Sequence, residues 1–231
     1  RSASKNENNS FWLERDTINL YQPGLGEDVI GGWWYPEDGQ VDNRQLIKSL
    51  LQAAESLGVE IKEGISVEAI QQKQGKVDKV LTSSGEFSAD RYVLATGSWS
   101  NSLLPIPGRP VKGQTLSVRM PQLQHQPFPL QRVLFGEDIY LVPRKDGRLI
   151  IGATVEEVGW TPHNTPNGIK NLLEKATRLY PATGDWAIEE LWWGFRPVTK
   201  DELPILGASS CENLILATGH YRNGILLAPI T

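Results

Sequence analysis

The sequence predicts a mixed α/β fold in two parts, one alternating helix and strand and the other built on an antiparallel sheet. Three observations predict it. Residues 43–57 carry an apolar stripe at helical spacing, closed by Gly58 and followed by the short apolar run Val59-Glu60-Ile61. Residues 111–154 contain four strand-like runs separated by hairpin-length links. Two buried-strand patterns, Tyr92-Val93-Leu94-Ala95 and Leu214-Ile215-Leu216-Ala217, each run straight into a glycine-containing turn.

Taken in order, residues 11–32 read as irregular, with turn chemistry at Pro23-Gly24 and Gly31-Gly32, and Trp33-Trp34-Tyr35 as a short aromatic strand. The helix follows, capped by Asp42 or Asn43, with Leu46, Ile47, Leu50, Leu51, Ala54 and Leu57 on one face. Its Gly58 C-cap and a strand beginning at 59–61 would make the helix-to-strand half of a βαβ unit. A ribbon of three strands at 67–71, 77–83 and 86–89 turns at Gln74-Gly75 and Ser84-Gly85. Beyond the 92–95 strand, runs at 111–119, 132–135, 138–143 and 148–154 form the antiparallel sheet. A helix at 167–180 presents Ile169, Leu172, Leu173, Ala176 and Leu179, and the strand 186–197 returns to the sheet. The chain closes on the 214–217 strand, the turn 218–224 and the first turns of a helix.

With 231 residues and a net charge of −4, the chain has material for a large core and no basic cluster suited to a polyanion. Cys211 is the single cysteine, which excludes an internal disulfide and points to a reducing, cytoplasmic setting. No apolar run reaches membrane-spanning length. The histidines form no metal set: His125 and His163 lie in proline-rich loops and His220 stands apart. Neither a nucleophile elbow nor a Walker loop occurs. Eight tryptophans include the pairs Trp33-Trp34 and Trp192-Trp193, read as sheet packing or as a wall around a flat ligand.

The 219–224 turn aims backbone N–H groups at one point, where a phosphate or the electron-rich edge of a ring would be stabilised; a tight turn without ligand is the alternative. Arg196 follows the aromatic run Trp192-Trp193-Gly194-Phe195, and Arg222 lies within the turn. An arginine among aromatics needs a partner, and a planar carboxylate matches its fork. Asp201 or Glu202 could serve as an internal one. Tyr140 could add a phenol to the same pocket or fill the core.

Several stretches resemble one family in the right order from about residue 11 onward. They are Gly39-Gln40-Val41-Asp42, Leu94-Ala95-Thr96-Gly97-Ser98-Trp99-Ser100, Tyr140-Leu141-Val142-Pro143-Arg144, Gly194-Phe195-Arg196-Pro197 and Gly219-His220-Tyr221-Arg222-Asn223-Gly224-Ile225-Leu226-Leu227. They are similar to the D-amino acid oxidase superfamily of FAD-dependent oxidoreductases, and within it to the glycine oxidases of thiamine biosynthesis. The resemblance implies part of a Rossmann-like FAD-binding domain plus an antiparallel-sheet substrate domain. The expected boundaries are 1–41 for an entry segment of the substrate domain, 42–105 for partial FAD-binding domain, 106–200 for substrate domain and 201–231 for the return to the FAD-binding domain.

Residue by residue, the resemblance implies that Arg196 pairs with the substrate carboxylate, Tyr140 hydrogen-bonds the same group, and Arg222 lines the site. His220, Tyr221, Arg222, Asn223, Gly224, Ile225 and Leu226 would cradle non-covalent FAD, Gly97 would let it approach, and Val67 would contact its adenine end. The implied reaction is oxidative deamination of glycine or a small amino acid, with O₂ reduced to H₂O₂ and the imine passed to a thiazole synthase. No side chain acts as acid or base in it. A homo-oligomer is the family expectation. The family's N-terminal βαβ with its glycine turn is absent from the 231 residues, so the chain alone is expected to bind FAD weakly and to be inactive. Sarcosine or D-amino acid oxidation, and non-redox capture of small carboxylates, remain alternatives.

Overall fold

The computed structural model describes residues 10–122 and 126–231, so His125 lies outside the described residues. In chain order the first half contains β1 (Phe11–Glu14), α1 (Arg15–Tyr21), β2 (Gly31–Trp34), α2 (Asn43–Ser56), β3 (Val67–Lys73), β4 (Lys76–Thr82), β5 (Gly85–Phe87), β6 (Tyr92–Leu94) and α3 (Ser100–Leu103). There follow β7 (Gly108–Arg119), β8 (Leu134–Gly136), β9 (Ile139–Pro143), β10 (Arg148–Gly152), α4 (Pro166–Leu179), β11 (Ala187–Thr199), β12 (Ile205–Ala208), β13 (Leu214–Thr218) and α5 (Gly224–Leu227). The class is mixed α/β with several antiparallel sheets, as the sequence predicts. Two compact units emerge: Arg1–Asp42 with Gly113–Val155 and Pro162–Gly194, and Asn43–Lys112 with Glu156–Thr161 and Phe195–Thr231.

In the first unit, strand-like alternation is obeyed closely. Along β9 the side chains of Ile139, Leu141 and Pro143 are buried while Tyr140 and Val142 face the other way. The five-stranded sheet runs β11-β7-β10-β9-β8, with Leu149 opposite Val118 and Ile151 opposite Leu141. Leu116, Leu141, Leu149 and Ile151 are fully buried and share one core with Leu172, Ala176 and Tyr180 at and beyond α4. That helix starts at its first proline, with the Thr165 hydroxyl accepting from the Gly168 N–H at 3.1 Å.

Residues 11–32 are not irregular. They form a hairpin of β1 on β2, Phe11 opposite Trp34, with α1 inside the connection. The strands are four residues each and the link between them is long, so neither a turn signature nor a period marks the pairing. Side chains order the link instead. The Arg15 guanidinium donates to the carbonyls of Gly26, Val29 (2.8 Å) and Leu25 (3.2 Å), and Gln22 donates to Pro23 and Pro129. Trp33 and Trp34 serve packing here: Trp33 meets Trp12 edge-on and Trp34 lies against Tyr21.

In the second unit, α2 begins at Asn43, and Gly58 (φ +82°) ends it, its N–H donating to Glu55 while Val59 donates to Ala54. The expected strand at 59–61 does not form. A strand needs a hydrogen-bonding neighbour, and no described residue supplies one there. The apolar stripe of α2 is likewise exposed, Leu50 at 58% and Leu57 just beyond at 83%. The ribbon β3-β4-β5 turns at Gln74 and Gly75, both with positive φ. A second sheet, β12-β13-β6, pairs β13 parallel to β6 and antiparallel to β12, which the sequence reading missed. Val77, Leu94, Ile106, Cys211 and Leu214 form its core. No helix among the described residues is long and apolar enough to cross a membrane.

Candidate active site

The parallel pair β6–β13 sets the geometry of the second unit's candidate site, because both strands end at the same side in small residues. A buried hydroxyl network ties those ends together. Ser100 Oγ lies 2.8 Å from Thr218 Oγ1 and 3.0 Å from Thr96 Oγ1, and both the Ser100 and Thr218 hydroxyls donate to the Gly97 carbonyl. Gly97 itself adopts φ +53°, a left-handed turn that favours glycine, with open space where a Cβ would stand.

The two strand-end turns also grip β11 on either side of Arg196. The Ser98 hydroxyl donates to the Phe195 carbonyl at 3.0 Å, and the Tyr221 N–H donates to the Pro197 carbonyl at 3.1 Å. Three motifs far apart in sequence therefore converge on one arginine. The Arg196 guanidinium is half-buried and donates to the Lys112 carbonyl at 3.4 Å. Lys112 is itself buried and ion-paired with Glu156 at 3.0 Å. Asp201 is not the internal partner of Arg196: its carboxylate accepts from the Thr199 hydroxyl and the Leu203 N–H. Those two bonds, the Leu203 N–H first, hold the Asp201 carboxyl below its ordinary value.

The 219–224 turn is tightly specified. Gly219 has φ +77°, and a Cβ there would meet Thr199 Cγ2 at 2.7 Å. Tyr221 also adopts positive φ, at +49°. Arg222 is exposed and makes no ion pair among the described residues. The N–H groups of Arg222, Gly224, Ile225 and Leu226 have no acceptor among the described residues, as expected where a helical turn starts. The His220 ring lies 3.0 Å from the Thr231 hydroxyl.

Of the remaining expected residues, Val67 opens β3 and is partly exposed. Tyr140 belongs to the first unit, where its ring lies across Gly152, its partner in register. A Cβ on Gly152 would collide with the Tyr140 hydroxyl and stand 2.6 Å from Cζ. Sequence reasoning missed an aromatic cluster beside Arg196: Trp99 stacks on Trp160 at 5.3 Å, and Phe195 meets Trp160 edge-on at 4.9 Å. Trp99 sits in a recognisable motif, whereas Trp160 lies in a loop without any period. No group of three His, Cys, Asp or Glu among the described residues could hold a metal ion.

The family model described as FAD dependent oxidoreductase (DAO) matches residues 1–231. The chain belongs to this family. Among curated relatives of the oxidoreductase, the bifunctional protein ThiO/ThiG of Synechocystis sp. is 67% identical over 223 residues, covering 96% of the chain and 34% of the relative. The glycine oxidase of Bacillus subtilis is 34% identical over 226 residues, covering 95% of the chain and 60% of the relative. The crystal structure of glycine oxidase from Bacillus cereus superposes with a TM-score of 0.88 at 35% identity, covering 96% of the chain and 61% of that structure. The chain thus spans about a third of the bifunctional relatives and about 60% of the glycine oxidases.

The residues present fit a flavin of this family. Unaccepted N–H groups at Arg222 and Gly224–Leu226 suit the electron-rich edge of its ring system, and Gly97 leaves open space beside the strand end.

Proposed function

We propose that the whole protein of which this chain forms part is an FAD-dependent oxidase of glycine or a small amino acid. The observation that carries the reading is the clamping of β11 around Arg196 by the Ser98 hydroxyl and the Tyr221 N–H, in a family whose members use FAD. When bound, the flavin supplies the acceptor for a hydride from the substrate Cα and the route to O₂, which becomes H₂O₂. The protein's own residues bind and orient. Arg196 holds the substrate carboxylate as a planar fork, Tyr140 donates its phenol to the same group, and Arg222 adds positive charge at the site. The backbone from His220 to Leu226 and the Gly97 turn would hold the ring of the cofactor, Val67 its adenine end. Preorganised N–H groups stabilise negative charge gained on reduction without reorganising.

The substrate and pathway assignment is supported by the 67% identical ThiO/ThiG relative and by the glycine oxidases. On this reading the product imine is passed to a thiazole synthase, within the cytoplasm. The proposed division assigns 42–105 and 201–231 to the FAD-binding part and 1–41 and 106–200 to the substrate part.

The test is glycine-dependent H₂O₂ release by the full-length protein loaded with FAD, with sarcosine and D-amino acids as alternative substrates. Arg196→Ala is expected to raise the KM for glycine at least tenfold while flavin absorbance is retained. An Arg196→Ala enzyme with unchanged kcat/KM would overturn the assigned carboxylate grip.

A further inference from the structure

Outside the residues of that reading, the first unit contains a cavity of about 140 Å³. Its lining mixes apolar residues, Ile18 and Leu25 from α1 and the following loop, Leu134 from β8 and Trp34, with the polar Gln22 and Arg132. Gly31 and Gly32 also line it. A Cβ on Gly31 would stand 2.7 Å from the Trp12 ring, whereas one on Gly32 would meet only the Cδ1 end of Ile18, at 2.9 Å. The cavity opens to solvent, since Tyr21 and Phe135 in its lining are exposed.

One cation lines the cavity. The Arg132 guanidinium lies 5.3 Å from the Trp34 ring centroid and 5.9 Å from that of Tyr21. Its Nη1 donates to the Tyr21 carbonyl at 2.6 Å, which fixes the plane of the fork. Among the described residues no carboxylate pairs with it. A guanidinium has five N–H donors, so most of its capacity is uncommitted after one bond. Stacking on aromatics satisfies its charge only weakly compared with a bidentate anion.

We propose that this cavity is a binding site for a small aromatic carboxylate, its ring against the Trp34 indole and the aliphatic walls and its carboxylate on the Arg132 fork. The volume selects the size of ligand, since a space of roughly 150 Å³ accommodates a single benzene ring. The uncommitted donor edge selects the charge. The lining includes none of Arg196, Tyr140 or Arg222, so the site goes beyond the proposed oxidase reading.

The experiment is titration of benzoate, with benzamide as its neutral counterpart, into the full chain in the Arg196→Ala background. That background removes the carboxylate grip of the proposed substrate site. Calorimetry gives the affinity, and intermolecular NOEs from the ligand ring to the Trp34 indole give the location. The expected result is saturable benzoate binding at least tenfold tighter than benzamide, lost tenfold or more in Arg132→Gln. Comparison of the two ligands on unaltered Arg132 reads the charge even if Arg132→Gln fails to fold. Absence of saturable binding would overturn the proposal, leaving Arg132 as a cover over apolar surface. Equal affinity for benzoate and benzamide would overturn it too, as would NOEs that avoid the Trp34 indole. Loss of oxidase activity in the parent protein bears on Arg196 alone and leaves this outcome untouched.

Discussion

Gly168, near the start of α4, offers a test in which local propensity and packing predict opposite signs. Replacing a helical glycine with alanine ordinarily stabilises by about 1 kcal/mol. Here a Cβ on Gly168 would stand 2.6 Å from Gln114 Cδ and 2.8 Å from Oε1. Gln114 cannot step aside cheaply. It is fully buried, its Nε2 donates to the Thr165 hydroxyl at 3.0 Å, and its Oε1 accepts from the Thr165 N–H at 2.7 Å. Overpacking of a tight site costs ~1–3 kcal/mol, and a buried hydrogen-bonding group left unsatisfied costs a further ~1–3 kcal/mol. The balance is a net loss of ~1–4 kcal/mol after the propensity gain, since not every bond to Gln114 need break. For a chain of this size each kcal/mol lowers the melting temperature by roughly 2–4 °C. Thermal unfolding of Gly168→Ala should therefore fall by several degrees. In the Gln114→Ala background the obstacle is gone, and Gly168→Ala should raise the melting temperature. A single Gly168→Ala variant more stable than the parent would refute the packing argument. So would additive effects in the double variant, because contacting residues must couple.

The Lys112–Glu156 pair should show an asymmetric cost. The Lys112 side chain is 1% exposed and that of Glu156 is 21% exposed, so Glu156→Gln, which removes the carboxylate charge beside the buried ammonium, is expected to cost ~3 kcal/mol in chemical denaturation. Lys112→Met should cost less, since water still reaches Glu156; the reverse order would contradict the burial. For Asp201, the folded carboxyl lies below its ordinary value, so its contribution is fully present above that ordinary value and is lost as pH falls through the lowered one. Asp201→Asn should lower the melting temperature at pH 7, and the gap should shrink as pH falls below the ordinary carboxylate value of about 3.9; a gap independent of pH would exclude the charge as its source.

Periodic elements were legible in the sequence because the period itself encodes which face is covered. The strands β7 to β10 and the helix α4 were expected within a few residues of their observed bounds, and the core residues Leu172 and Ala176 lie on the face expected for that helix. The hairpin β1–β2 was not legible, since its strands pair across an ordered link held by Arg15 and Gln22 side chains rather than by turn residues. Strand β12 was missed for a related reason: only four residues long, it contains Gly207 with φ +121° and is specified by pairing with β13. The stripe on α2 shows the converse. Its period announces a buried face, yet Ile47 and Leu50 are more than half exposed, so the partner of that face is not among the described residues. Pattern tells that a face is meant to be covered, never by what.

At the candidate site the residue types were legible and their arrangement was not. Arg196 stood out as a cation among aromatics, and the glycines of the 219–224 turn stood out as a chain reversal. What joins them is a pair of bonds from outside the strand ladder, Ser98 to the Phe195 carbonyl and the Tyr221 N–H to the Pro197 carbonyl. Neither has a sequence signature: a serine hydroxyl and a backbone amide are generic donors, and their acceptors are generic carbonyls. Yet these bonds fix the backbone on both sides of one side chain, and a long side chain is only as well positioned as the backbone that carries it. Both donors in turn depend on positive-φ positions, Gly97 immediately before Ser98 and Gly219 shortly before Tyr221, where a Cβ would be strained. The glycines recognised in the sequence thus act on Arg196 at one remove, by shaping the turns that hold its strand.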